Sequence, residues 1–394
     1  MQTPRRLCSG PPPDMPIALY APAELPDPSA PWGGPRLMHM LARALDIAGY
    51  HTIAPTEFRS DGGLEDSRQP AALERKAARQ ARKLVTAYRD LPAVARPEAW
   101  LTCDLRHTAP DLIGPAVAEA LGIPYLLVGA SYARAEASGA HARWLSYTAR
   151  AIARARAVLS LTAEDEESIR PLVPSTARLY RLAPFLDLAP YRAIDREAAR
   201  RALADALPLD LGRPWLLAVA TMQTGAALAS WRLLGRSLNL IADPPWQLVV
   251  VGEGEARWLV EEALAPLGSG LAIFAGARTE DALPAVYAAC DLYVWPAYQE
   301  ALGMAMLEAQ AAGLPVVAQD WPGAAAVVTN GETGLLTPRH DDVAFAGAVV
   351  ELSTNAEQRR AMSAAAAARV QKQHGIESAA ATLQRALDAA LADA

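Results

Sequence analysis

Glu300-Ala-Leu-Gly-Met-Ala-Met-Leu-Glu-Ala-Gln-Ala-Ala-Gly-Leu-Pro-Val-Val317 is the stretch whose reading decides the fold. Before it, residues 291–295 read as a strand that meets a turn at Pro296. Glu300 follows, and Gly303-Met304-Ala305 opens a helix reaching Glu308, so that a glycine leads the helix inside a Glu-x7-Glu spacing. A glycine-led helix N-terminus leaves backbone N–H groups free and carries partial positive charge, which suits an anion. A carboxylate just ahead of such a helix can accept hydrogen bonds from hydroxyls, and a second one two turns in can clasp a vicinal pair. Gly313-Leu314-Pro315 closes the helix, residues 316–318 read as a buried strand, and a Pro322-Gly323 turn precedes another short helix. Two glutamates at this spacing equally describe two solvated helix positions, and the spacing alone leaves both readings open.

Outward from this stretch, short apolar runs alternate with helical patterns along the chain. Strands are expected at 17–20, 52–54, 99–102, 125–128 and 158–161 in the first half, with helices over 36–48, 71–88 and 140–155 among them. The second half repeats the rhythm, with strands at 215–220, 247–251, 272–274, 292–295 and 316–318. Continuous apolar strands alternating with helices indicate parallel sheets covered on both faces. Two such series in tandem predict an α/β protein of two Rossmann-like, doubly wound domains. The expected organisation is a disordered Pro-rich lead over 1–14, an N-terminal domain over 15–185, a C-terminal domain over 186–375, and a C-terminal helix over 376–394 packing back on the N-terminal domain. The boundary falls in Leu182-Ala-Pro-Phe-Leu-Asp-Leu-Ala-Pro190, where two prolines interrupt the helical periodicity. In doubly wound sheets ligands bind beyond the carboxyl ends of the strands.

The chain has 394 residues and a net charge of −6, with 52% hydrophobic and 20% charged residues, which excludes general disorder. Residues 1–185 carry +3 and the rest −9. Without a Lys/Arg block, this acidic balance argues against a nucleic-acid partner. Cys8, Cys103 and Cys290 are sparse and widely spaced, so neither a disulfide framework nor a zinc site is expected. Arg5 and Arg6 are followed by no apolar segment, and no run of 18 apolar residues occurs, so the expectation is a cytoplasmic protein without a cleaved leader or spanning helix.

The decisive stretch, together with Asn330-Gly-Glu-Thr-Gly-Leu-Leu-Thr-Pro338, resembles the retaining family-4 glycosyltransferases of GT-B fold. The resemblance is strongest over 270–340 and continues through Val250-Val-Gly-Glu-Gly-Glu255 and 216–240 to Gly33-Gly34. It implies two domains facing across a cleft and transfer of a sugar from a nucleotide-sugar donor to a hydroxyl acceptor, whether glycan, lipid or small molecule. It also implies residue roles. Glu300 would meet the donor sugar near the reacting carbon, and Glu308 the ribose. Gly303, Met304 and Ala305 would offer backbone N–H groups to sugar and diphosphate, and Gly276-Ala277-Arg278 would lie against the base. Gly33-Gly34 would let a loop approach the diphosphate, or would simply turn the chain into a helix. His107, in Thr102-Cys-Asp-Leu-Arg-His-Thr-Ala-Pro110, follows an expected strand and matches a histidine that relatives turn toward the donor sugar. A solvated turn residue is its other reading. His39 has a weaker claim, and Asp104 and Arg106 either tune His107 or are plain loop charges.

One departure from that family matters most. In the loop after the first C-terminal strand, relatives carry M-R-x-G-x-K, whose cations neutralise the diphosphate leaving group. Here the matching positions are Gln223 and Ala227. Preorganised donors aimed at developing charge contribute roughly 3–4 kcal/mol each, so losing two costs on the order of 10³ or more in rate unless something replaces them. Arg232, Arg236, Arg278 and Arg36 are the candidate replacements, and Gln223 still offers a neutral donor. No Asp-x-Asp occurs, and no metal or other cofactor is expected. Glu164-Asp-Glu-Glu167 reads as a solvated helix start. The alternative function is a degenerate relative that binds a nucleotide, glycan or partner protein without turnover, or that uses an atypical donor. Six cations between 75 and 89 offer either peripheral contact with an anionic membrane face, at about 1 kcal/mol each, or a solvated helix face.

Overall fold

The computed structural model describes residues 15–23, 34–61, 70–134, 141–192 and 194–392. The Pro-rich lead over 1–14 and Gly33 lie outside these residues, as does the side chain of Arg36. The chain divides into two compact units: Met1–Leu182 with Ile376–Ala394, and Ala183–Gly375.

The first unit opens with β1 (Met15–Tyr20), α1 (Gly34–Ile47), β2 (Tyr50–Ile53), α2 (Pro70–Asp90) and β3 (Ala99–Cys103). It continues through α3 (Gly114–Leu121), β4 (Tyr125–Val128), α4 (Ala142–Arg154), β5 (Ala157–Ser160), α5 (Ala163–Ile169) and β6 (Arg178–Arg181). All its strands are parallel, in the order β2-β1-β3-β4-β5-β6. Strands β3, β4 and β5 are buried along their whole length, which is why their sequences are unbroken apolar runs rather than alternating ones. In α2, Ala77, Ala81, Leu84 and Tyr88 form the buried stripe, at helical spacing, while Arg75, Lys76, Arg79, Arg82, Lys83 and Arg89 are exposed. The acidic run begins α5, where the Thr162 hydroxyl accepts from the Asp165 N–H at 3.1 Å and thereby caps the helix.

The second unit contains α6 (Arg196–Ala206), β7 (Trp215–Val219), α7 (Ala226–Leu238), β8 (Gln247–Val251), α8 (Arg257–Leu264), β9 (Ala272–Gly276) and α9 (Leu283–Ala289). Then follow β10 (Leu292–Trp295), α10 (Met304–Ala311), β11 (Val316–Gln319), α11 (Pro322–Val327), β12 (Gly334–Thr337), α12 (Asp342–Thr354) and α13 (Ala356–Gln373). Its parallel sheet has the order β12-β11-β10-β7-β8-β9. The last helix, α14 (Ile376–Ala392), packs on α1 and β5 of the first unit and buries Ile376, Leu383 and Leu387. The Tyr50 hydroxyl donates to Asp388 Oδ1 at 2.7 Å and ties α14 to β2.

Two strands, β6 and β12, stand beyond those read from the apolar pattern. Both are edge strands, covered less than the central ones, so neither needs a continuous apolar run; β6 even begins and ends with an exposed arginine. Among the described residues no helix is long and apolar enough to cross a membrane.

Candidate functional site

In the second sheet the connections reverse direction between β7 and β10, with β8 and β9 to one side and β11 and β12 to the other. The loops leaving neighbouring strands diverge there and open a crevice, the usual ligand site of a doubly wound sheet. Gln223 lies on the loop after β7, and Glu300, Gly303, Met304 and Ala305 lie on the loop and helix start after β10. These five residues are therefore brought together by topology.

Gly303 caps α10 in the left-handed conformation, with φ +66°, and a Cβ there would stand 2.5 Å from the carbonyl oxygen of Gly323. Gly323 in turn donates its N–H to the Glu300 carbonyl at 3.1 Å. The loop before α10 and the start of α11 are thus in backbone contact, which fixes where Glu300 sits. The Glu300 carboxylate is partly buried and accepts the Gly303 N–H at 3.4 Å. Burial raises its pKa, and backbone N–H groups of Gly303, Leu302 and Ala301 and the Trp295 side chain pull it back down. Ala297 and Gln299, with φ 59° and 54°, are non-glycine residues in the same left-handed region just ahead of it. Met304 and Ala305 remain partly exposed at the helix start, where N–H groups have no partner within the helix.

Glu308 stands apart from this rim. It is 1% exposed, in the second turn of α10. The Tyr287 phenol of α9 lies beside it, and burial first, then the Glu308 charge, raise that phenol's pKa well above its ordinary value. The neighbouring Tyr293 is raised by burial and by the charges of Glu300 and Glu308, and its hydroxyl donates to the Val219 carbonyl at 3.1 Å.

The loop after β7 is held against the loop after β8. Met222 donates to the Glu253 carbonyl at 2.9 Å, and Ala256 donates to the Met222 carbonyl at 2.8 Å. At Gly254 a Cβ would stand 2.3 Å from the Met222 oxygen, so only glycine permits this approach. Gln223 is exposed, and Ala227 lies in the first turn of α7. Beside them the Thr224 hydroxyl donates to Glu255 Oε1 at 3.1 Å. The facing loops thus present an amide, a hydroxyl and a carboxylate here. Arg257 is engaged by Glu253 and by Glu261, and Arg236 pairs with Asp342 at 3.1 Å. Arg278 is partly buried after β9, two strands away from β7, and Arg232 is exposed on α7.

The first unit has its own reversal, between β1 and β3. Gly34 begins α1 after β1, and His107 stands on the loop after β3. Its turn is closed by the Ala109 N–H donating to the Arg106 carbonyl at 3.1 Å. Asp104, at φ 57°, pairs with Arg106 at 2.6 Å. The His107 ring meets the His141 ring edge-on, with centroids 5.4 Å apart. Sequence reasoning had not singled out His141; its one signal is a histidine at the start of the helix expected over 140–155, where the structure makes it the residue before α4. The Thr224–Glu255 pair was also missed, because it joins two loops that are far apart in sequence.

Residues 213–355 match the family described as glycosyl transferases group 1. A D-inositol 3-phosphate glycosyltransferase of Rhodococcus opacus is 34% identical over 220 residues, 54% of this chain and 48% of that protein. The chain spans about half the length of the curated relatives it matches. Among solved structures, sucrose-phosphate synthase from Thermosynechococcus elongatus superposes with a TM-score of 0.72 at 20% identity, covering 96% of this chain and all of that one. Anabaena Alr3699/HepE in complex with UDP-glucose gives 0.69 at 17% identity, covering 95% and 99%. The fold class is the two-domain α/β GT-B class, and the chain resembles the glycosyltransferases that share it.

Proposed function

We propose that this chain is a glycosyltransferase that moves a sugar from a nucleotide-sugar donor to a hydroxyl acceptor with retention of configuration. The observation that carries the reading is the second unit's reversal point, where a left-handed glycine starts α10 and Glu300 is pinned beside the free helix terminus. A helix N-terminus offers N–H groups and positive potential to a phosphate, and a carboxylate beside it accepts from sugar hydroxyls. The complex of a structural neighbour with UDP-glucose supports a nucleotide-sugar as donor. Glu300 would orient the sugar, and the family resemblance assigns His107, on the first unit's loop after β3, to the transfer. The departing phosphate oxygen would take the acceptor's proton on the same face, so neither a protein nucleophile nor a separate general base is required. Glu308, at 1% exposure, meets ribose hydroxyls only if its side chain swings away from Tyr287.

A second reading has its own observation. With Gln223, Ala227 and the Glu255 carboxylate where two cations are usual, the leaving diphosphate is poorly neutralised, which favours binding without efficient turnover. Thermal unfolding with UDP, UDP-glucose and other nucleotide sugars, paired with a sensitive donor-hydrolysis assay, separates the two. Stabilisation with hydrolysis supports the transferase, and stabilisation alone supports the binder. An unfolding temperature indifferent to every nucleotide and nucleotide sugar defeats both.

A further inference from the structure

Asp111 ends the loop that carries His107, and it is 2% exposed. Its carboxylate takes four hydrogen bonds. Oδ1 accepts from the backbone N–H groups of Ile113 at 2.9 Å and Gly114 at 2.7 Å. Oδ2 accepts from the hydroxyls of Thr102 at 2.6 Å and Tyr125 at 2.9 Å. Two oxygens with four donors use the full accepting capacity of a carboxylate; burial raises its pKa, and the four donors pull it back part of the way. The Trp100 indole extends the network by donating to the Thr102 hydroxyl at 3.0 Å. Gly114 makes room for it, since a Cβ there would lie 2.3 Å from Asp111 Oδ2.

The two oxygens do different work. Oδ1 holds the start of α3, while Oδ2 fastens that start to β3 and β4. The near end of the loop is fixed independently: Asp104 donates to the Val128 carbonyl at 2.9 Å, Ser131 donates to the Leu105 carbonyl at 3.0 Å, and the Leu105 side chain is fully buried. Between these anchors stands the turn with His107, and Ala109 on its far side is buried. Holding the N–H groups at the start of α3 needs only Oδ1; the Thr102 and Tyr125 bonds fix where that helix start and its loop stand on the sheet. We infer that Asp111 is a positioning residue for His107, holding the far end of the loop that presents the imidazole. The inference rests on His107 serving the proposed transfer.

The test labels histidine Cε1 with carbon-13 in the full chain and assigns the His107 and His141 lines with His107→Gln and His141→Gln. Asp111→Asn replaces an acceptor with a donor facing donors. It should move both lines while leaving His340 in place, and should lower kcat for UDP-glucose hydrolysis at least tenfold with KM unchanged. Leu387→Ala, a cavity under α14 and outside the core cluster that holds Trp100, Leu105, Ile113 and Tyr125, serves as the control for stability loss alone; it should lower Tm and move neither line. Asp111→Asn with a lowered Tm but unmoved imidazole lines, or with kcat no lower than in Leu387→Ala, overturns the inference. Should Asp111→Asn not fold, Tyr125→Phe removes one of the four bonds; a smaller shift of both lines supports the proposal, and no shift overturns it. Failure of the wild type to hydrolyse any nucleotide sugar would count against the transferase reading alone, because the imidazole lines report the loop without turnover.

Discussion

Gly303 and Gly323 meet through their backbones: a Cβ on Gly303 would stand 2.5 Å from the Gly323 carbonyl oxygen, and one on Gly323 would stand 2.4 Å from the Glu300 oxygen. Two glycines from different turns thereby set the height of Glu300 over the start of α10. Gly303→Ala is expected to destabilise the protein by about 1–2 kcal/mol through its left-handed backbone alone, and by more through the clash. Urea unfolding measures the loss. The same variant should lose the thermal stabilisation given by UDP-glucose, since the helix start moves with it.

Glu300 gives a pH signature. Its pKa is raised in the folded protein by burial, so folding favours the protonated acid. Stability from this group is complete below the ordinary carboxylate value of 4.5 and is lost as pH rises through the folded pKa. Glu300→Gln keeps an acceptor for the Gly303 N–H and removes the titration. It should unfold at or above the wild-type temperature at pH 7.5, with the advantage vanishing toward pH 4, while donor hydrolysis falls by on the order of 10². Differential scanning calorimetry across pH reads the first effect.

His374 titrates in the opposite sense. Its Nδ1 donates to the Pro184 carbonyl at 2.6 Å, and burial lowers its pKa below 6.5. Stability from the neutral ring is full above pH 6.5 and is lost as pH falls through the depressed folded value. His374→Asn retains a donor toward Pro184 and cannot titrate here. The drop in urea midpoint between pH 7.5 and 5.5 should therefore be smaller in the variant than in the wild type.

Charge at the β7 loop predicts a gain of function. Gln223→Arg with Ala227→Lys should strengthen stabilisation by UDP-glucose and raise hydrolysis by one to two orders of magnitude, at roughly 3 kcal/mol per restored donor less the desolvation of the new charges. Glu255→Gln alone should improve UDP affinity a few-fold by removing the carboxylate beside Thr224. Thermal unfolding with UDP-glucose and the donor-hydrolysis assay check the first, and calorimetric titration with UDP checks the second.

What the sequence made legible follows from how each feature is encoded. The central strands were readable because burial on both faces leaves an unbroken apolar run; 125–128, 247–251 and 292–295 match residue for residue. The edges β6 and β12 are under no such demand and went unread. Gly303 and Glu300 were readable because a glycine at a helix start and a carboxylate beside it are local facts. The burial of Glu308 against Tyr287 was not, since helix spacing says which residues share a face and not what covers it. Asp111 illustrates the same limit: Thr102 and Tyr125 lie on two strands, and only the register of the sheet brings their hydroxyls to one oxygen.

The return of α14 has a consequence for the order of assembly. The second unit is one uninterrupted segment, Ala183–Gly375, whereas the first needs Ile376–Ala394 to cover α1 and to supply Asp388 to Tyr50. During synthesis the earlier half must wait for the last helix before its apolar face is closed, while the later half already holds everything it needs. The part of the chain made first is the part finished last.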